Sequence, residues 1–375
     1  MPKKQNIYQK RDNLWEGRYT HDGKRKSLYG KTQTEVITKL KAVEADINNN
    51  EYIEKSKLKV GEWLQIWLNE YTADIKDSTR LEYQRIVDKR IIPVIGGKQL
   101  QKLRPDSVQS FYNSLYGEDC KKPLSPRSVE FTHAVLHKAL SKAVALDYMK
   151  KNVCKDAILP TKIKKEVQIL DDIPAFLTAV HGHKYEPLFL TLLYTGARVG
   201  EILGLSWNAV DFKTQTITLN QQLALARKKG ESAKLTTLKN NKTRRLTPPR
   251  EVFQILENHR REQLQAQLLA GQAWKNENNL VFTNPLGVHL DGCNLTRTFK
   301  KFLSDNKLKV VPLHSLRHTA ATLMLQGGDS PKTVQKALGH HSAAFTLDVY
   351  GHVTETMERE SANNFQRLIE AAKVM

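Results

Sequence analysis

The hydrophobic period of this chain changes near Thr32, and that change limits the folds open to it. Upstream, apolar and polar residues alternate in three short runs, Ile7 to Arg11, Leu14 to Thr20 and Lys24 to Tyr29, with Asp12-Asn13 and Asp22-Gly23 between them. Alternation broken by turn residues is the pattern of antiparallel strands, so a small three-stranded antiparallel sheet is expected. Downstream the spacing turns helical: Thr32 or Thr34 as N-cap, Glu35 in the first turn, and Val36, Ile37, Leu40, Val43 and Ile47 as the packed stripe.

Helical spacing then continues for about a hundred residues, the length of one domain. Val60, Trp63, Leu64, Trp67, Leu68 and Tyr71 form one stripe, and the two Trp are read as core. Asp77-Ser78-Thr79 is read as the cap of a second helix, broken by Pro93 and Gly96-Gly97; Asp106 as the cap of a third; Ser125-Pro126 as the opening of a long fourth. His133 and His137 sit one turn apart with no third ligand in sight, so surface or nucleic-acid contact is expected and not a metal. A Lys-rich stretch around Pro160 reads as a linker. Beyond it, Asp171-Asp172 caps a helix, and strands return at Ala209 to Phe212, Thr216 to Leu219 and Arg245 to Thr247.

The net charge of +20, from 59 Lys and Arg against 39 Asp and Glu, calls for a polyanionic partner. Nucleic acid is the first candidate and an anionic membrane surface the second. No apolar run approaches the roughly 18 residues of a spanning helix, and the polar start is no signal peptide, so a bacterial cytosol or nucleoid location is expected. Cys120, Cys154 and Cys293 are too few and too scattered for a disulfide framework or a Cys metal site. On the first strands sit Lys10, Arg18, Lys24, Arg25 and Lys26, with Tyr and Trp between them, an arrangement suited to a major groove. The plainer reading is a solvated basic edge that blocks aggregation.

Chemistry concentrates toward the carboxyl end. His314-Ser-Leu-Arg317 places an imidazole and a guanidinium three residues apart at the start of an apolar helix, on one face. A rigid cationic fork beside a group that passes protons near neutrality suits a phosphodiester. In order along the chain stand Thr-Gly-Ala-Arg198-Val-Gly-Glu201, Lys239 ahead of Arg245-Leu-Thr-Pro, His314-x-x-Arg317-His318-Thr, Leu-Gly339-His340 and Asp348-Val-Tyr350-Gly-His352. In sequence and spacing these five motifs resemble the tyrosine recombinase (phage and conjugative-transposon integrase) family, across essentially its whole catalytic domain.

The resemblance implies a multidomain fold: a small three-stranded sheet plus helix that binds arm sites (1–57), an all-α core-binding bundle (58–154), a linker (155–170), a mainly α catalytic domain with a small antiparallel sheet (171–358) and a C-terminal tail (359–375). It makes Tyr350 the nucleophile on a scissile phosphodiester, Arg198 and Arg317 the clamp on its non-bridging oxygens, and Lys239 the general acid on a hairpin that also carries Lys234 and Lys242. Lys242 is the second choice, because Asn240-Asn241 depart from the usual family pattern. His314 would take the Tyr350 proton, His340 would hydrogen-bond the phosphate, and Glu201 would orient its helix. No metal and no cofactor are implied. The implied partners are double-stranded DNA at core and arm sites, three further copies of the chain in a homotetramer, and an accessory DNA-bending or excision factor. The tail, with Phe365, Leu368 and Ile369, would pack on a neighbour or on its own domain. The rival readings are a type IB topoisomerase and a catalytically inactive DNA-binding regulator.

Overall fold

A computed structural model describes residues 7–11, 13–49, 52–54, 56–117, 120, 122–161, 167–224, 233–238, 242–339, 366 and 369–370. Two compact units divide the chain, Met1–Lys164 and Lys165–Met375.

In the first unit, strands β1 (Ile7–Arg11), β2 (Leu14–His21) and β3 (Lys24–Gly30) form an antiparallel sheet in that order. Helix α1 (Gln33–Asn48) starts at Thr32, whose hydroxyl accepts from the Glu35 N–H, and buries Val36 and Leu40 against Leu28. Gly17 lets it come close, since a Cβ there would overlap Val36 and Leu40. The helices that follow are α2 (Val60–Glu70), α3 (Asp77–Ile86), α4 (Ile92–Ile95), α5 (Pro105–Tyr116) and α6 (Pro126–Ala145). They close over Trp63, Trp67, Phe111 and Tyr112, all fully buried, with Trp63 Nε1–H donating to the Ala139 carbonyl at 3.0 Å.

Several sequence expectations fail here for local reasons. Pro93 does not break its helix. A π-helical turn over Val87–Ile91 joins α3 to α4, and the chain runs helically through the proline until Gly96. Such a turn re-registers the ladder just ahead of a residue that lacks an N–H. Asp77 and Asp106 are not caps: the cap positions are Lys76 and Arg104, and both aspartates lie in the first turn, where their charge favours the helix N-terminus. His133 is half-buried and engaged within the bundle. Its Nδ1 lies 3.0 Å from the buried Tyr112 hydroxyl, and burial lowers its pKa.

The second unit contains α7 (Ile173–Val180), α8 (Glu186–Thr195), α9 (Val199–Leu203), β4 (Val210–Asp211), β5 (Thr216–Leu219), β6 (Gln221–Ala224), β7 (Lys234–Thr237), β8 (Arg244–Leu246), α10 (Arg250–Ala270), α11 (Gly292–Asp305), α12 (Ser315–Gln326) and α13 (Pro331–Leu338). Strands β4, β5 and β8 make one small antiparallel sheet and β6 pairs with β7 in another. The β6–β7 pair was not among the expected strands. Its Lys234–Thr237 arm is polar and mostly exposed, so no hydrophobic alternation marks it. A large core centred on Phe176, Phe189, Ile202, Phe299 and Leu316 and a smaller cluster of Ala321, Leu325, Val334 and Leu338 between α12 and α13 hold the unit, and α8 and α12 pack against each other. Among the described residues no helix is long and apolar enough to cross a membrane.

Candidate active site

Two helix ends build the centre of the second unit. α8 stops at Gly196, with φ +57, and α13 stops at Gly339, with φ +68; both adopt the left-handed conformation in which glycine ends a helix without steric cost. The carbonyls there have no partner within their own helices. Arg317, on the first turn of α12, donates Nη1–H to the Gly196 carbonyl at 2.7 Å and Nη2–H to the Leu338 carbonyl at 2.8 Å. A guanidinium only 3% exposed is tolerated because two helix C-termini turn their negative ends toward it.

Arg198 immediately precedes α9. Its Nη2–H reaches the Gly339 carbonyl at 3.2 Å and its Nη1–H reaches Glu201 Oε1 at 2.9 Å. Among the described residues these occupy two of its five N–H donors, and its side chain keeps 29% exposure. Glu201, 1% exposed, also accepts the Arg198 backbone N–H at 2.8 Å, so one carboxylate both caps α9 and grips the residue before it. Its other partner is Arg244 at the start of β8, which donates Nη1–H to Oε1 at 2.8 Å and Nη2–H to Oε2 at 2.5 Å. Burial pushes the Glu201 carboxyl up, but the hydrogen bonds and charge of Arg244, joined by Arg198, outweigh it and hold the group ionised below its ordinary value.

His314 occupies the N-cap position of α12, one turn ahead of Arg317. The residue is exposed, and its ring meets His318 edge-on at 4.9 Å. Partial desolvation, then the neighbouring His318, Arg317 and Arg198, lower it to about 4, against a weaker upward pull from Glu201. At neutral pH the imidazole is therefore neutral and can accept a proton.

The structure thus brings together Arg198, Glu201, His314 and Arg317 of the expected set. Lys239, His340 and Tyr350 lie outside the described residues, although Gly339, directly before His340, is held by Arg198. Lys234, the first residue of β7, and Lys242, just ahead of β8, are described and exposed. Phe365 and Leu368 are also outside, while Ile369 is 42% exposed. Sequence reasoning missed Arg244. The available signal was the pair Arg244-Arg245 on a strand, where alternation sends one side chain inward; Arg245 goes outward, to the Thr214 and Thr216 hydroxyls. Among the described residues no three His, Cys, Asp or Glu side chains converge on a metal-sized site.

In the first unit, Lys10 and Arg18 lie on the outer sheet face with Glu16 between them, at 3.4 and 3.2 Å. Lys26 pairs with Glu54 at 2.9 Å, and Lys24 and Arg25 are exposed.

The phage integrase family model matches residues 165–357, and the model of the phage integrase N-terminal SAM-like domain matches residues 59–116. The chain belongs to the phage integrase family of tyrosine recombinases, enzymes that carry out site-specific DNA recombination. It is 29% identical over 349 residues, covering 88% of both chains, to a protein named tyrosine recombinase XerC-like from Caldanaerobacter subterraneus subsp. tengcongensis. To the ICEBs1 integrase of Bacillus subtilis it is 23% identical, with 82% of each chain covered. Among solved structures, the Tn1549 transposon integrase in complex with a circular intermediate DNA superposes with TM-score 0.69 at 19% identity, covering 82% of this chain and 99% of that one. A lambda integrase tetramer bound to a Holliday junction gives TM-score 0.56 at 16% identity over 92% and 97%. These last two likenesses concern the fold.

Proposed function

We propose that this recombinase integrates and excises a mobile element by cutting and rejoining duplex DNA through a 3′-phosphotyrosyl link to Tyr350. The observation that carries the reading is the convergence of Arg198 and Arg317 on the ends of α8 and α13, the second of which leads directly into His340, with His314 one turn ahead of Arg317 and within reach of the charge of both arginines. In this reading the Tyr350 oxygen attacks phosphorus, its proton passes to the neutral His314, and the P–O5′ bond breaks as Lys239 protonates the leaving oxygen. Arg198 and Arg317 stabilise the charge that builds on the non-bridging oxygens, and His340 adds a hydrogen bond. Rejoining is the reverse step with an incoming 5′ hydroxyl. The linkage keeps the energy of the bond it replaces, so no nucleotide cofactor enters.

The DNA-bound relatives support duplex core sites as the substrate and four protomers on paired sites as the working assembly. Residues 1–57 are assigned to arm sites, with Lys10, Arg18, Lys24, Arg25 and Lys26 toward the backbone or groove; 58–154 are assigned to core-site grip and 171–358 to catalysis. On a nicked suicide substrate the wild-type chain should form a covalent adduct, and Tyr350→Phe should bind the site and form none. An adduct persisting in Tyr350→Phe would move the nucleophile elsewhere. Removing 1–57 should spare core cleavage and abolish binding to a distal sequence, as gel shifts can read.

A further inference from the structure

We infer that Arg244 is a positioning residue for strand cleavage: by taking up the charge of Glu201, it leaves Arg198 cationic toward the scissile phosphate. The inference deepens the proposed function and rests on it.

Glu201 Oε1 is shared by two guanidiniums, Arg198 at 2.9 Å and Arg244 at 2.8 Å, while Oε2 takes Arg244 at 2.5 Å. One negative and two positive charges leave the trio net positive. With Arg198 alone on a buried carboxylate, the pair would be neutral, and a phosphate would have to compete with Glu201 for the same fork. Arg244 removes that competition. Its side chain is 13% exposed against 29% for Arg198, so it is the inner of the two and Arg198 the one open to a ligand. Arg244 Nε is buried without a hydrogen-bond partner among the described residues, a cost consistent with a guanidinium committed to the carboxylate. Gly339 makes the room. A Cβ there would come within 2.9 Å of Arg244 Nη1, and the Gly339 carbonyl is the second acceptor of Arg198. Arg244, Glu201, Arg198 and Gly339 therefore close a ring, and β8 holds Arg244 in register opposite Leu219.

Adduct formation on the nicked core-site substrate tests this with Arg244→Gln, Glu201→Gln and the double variant. Arg244→Gln should slow the adduct by about 100-fold, the scale of losing one transition-state donor, with site binding nearly unchanged. Its rate relative to wild type should climb as pH falls, because the carboxylate left behind protonates and releases Arg198. The double variant, lacking the buried negative charge, should recover at least about 10-fold over Arg244→Gln, a coupling that independent sites would not show. A double variant no faster than Arg244→Gln overturns the inference. Should Arg244→Gln fail to fold, a folded double variant that cleaves supports it, and one that folds and does not cleave, while Glu201→Gln does, overturns it. Absence of a wild-type adduct would defeat the function itself and this inference with it; a wild-type adduct without recovery defeats only the role of Arg244.

Discussion

Glu16 and Glu201 are both nearly covered, at 2% and 1% exposure, and both are gripped by two cationic side chains. Their covers differ. Glu16 sits on a sheet face beneath Lys10 and Arg18, which are themselves 48% and 45% exposed, and beside Ser27 at 2.6 Å. Arg18, then Ser27 and Lys10, hold its carboxyl down to about 2, but water lies one flexible side chain away. Glu201 is covered by the fold, and its partner Arg244 lies 43 residues along the chain. The first carboxylate organises a patch of one small sheet; the second pins distant segments to one point. Sequence distance between partners, and not coverage alone, separates a surface ion cluster from a tertiary interlock.

Breaking the interlock should have the largest effect. Glu201→Ala leaves two guanidiniums without their carboxylate, one of them Arg244 at 13% exposure, and should cost the second unit about 3–5 kcal/mol in a denaturant titration. A loss well under 1 kcal/mol would place Glu201 in the same class as Glu16. Next, Gly196→Ala puts a side chain on a residue with φ +57 and drives its Cβ into Leu338. Strain and overpacking together should cost about 2–3 kcal/mol and slow adduct formation, since the Gly196 carbonyl seats Arg317.

The third effect is a pH dependence. With His314 lowered to about 4, the unfolded chain binds the extra proton first as pH drops below the ordinary histidine range. The second unit should lose stability from the ordinary value down to about 4, by about 1 kcal/mol once solvent screening is allowed for. NMR titration of the ring should show a low midpoint, and His314→Asn should flatten that part of the stability curve. A midpoint at the ordinary histidine value would contradict the crowding of His314 by Arg317 and Arg198.

Smallest is Glu16→Gln. The depressed carboxyl contributes stability that is present above its ordinary value and lost as pH falls through about 2. The substitution should slightly lower the melting temperature of the first unit at neutral pH, less so in high salt, and leave core-site adduct formation unchanged. A salt-insensitive loss would mean that this cluster is an interlock after all.

Local patterns were legible wherever neighbours in sequence are neighbours in space. The three N-terminal strands, the Thr32, Ser125 and Asp172 caps and the Trp63 and Trp67 core follow from period and cap chemistry. So did Arg198, Glu201, His314 and Arg317 as a set, because the resemblance fixes their order. Misreadings arose where local rules were overridden. Pro93 is carried by a π-turn, and the β6–β7 pair shows only one apolar cross-strand pair, Leu223 and Leu235, too short an alternation to announce it.

The sequence by itself determined the class of this enzyme and most of its element types, since the first rests on the order of five motifs and the second on spacing along one chain. Only the tertiary structure decided which of two adjacent arginines turns inward to Glu201, that Arg198 and Arg317 seat themselves on the carbonyl ends of two helices, and that burial and neighbouring cations hold His314 below the ordinary histidine range. Each depends on charges and dipoles brought close by packing, and that proximity is not written in the spacing of residues.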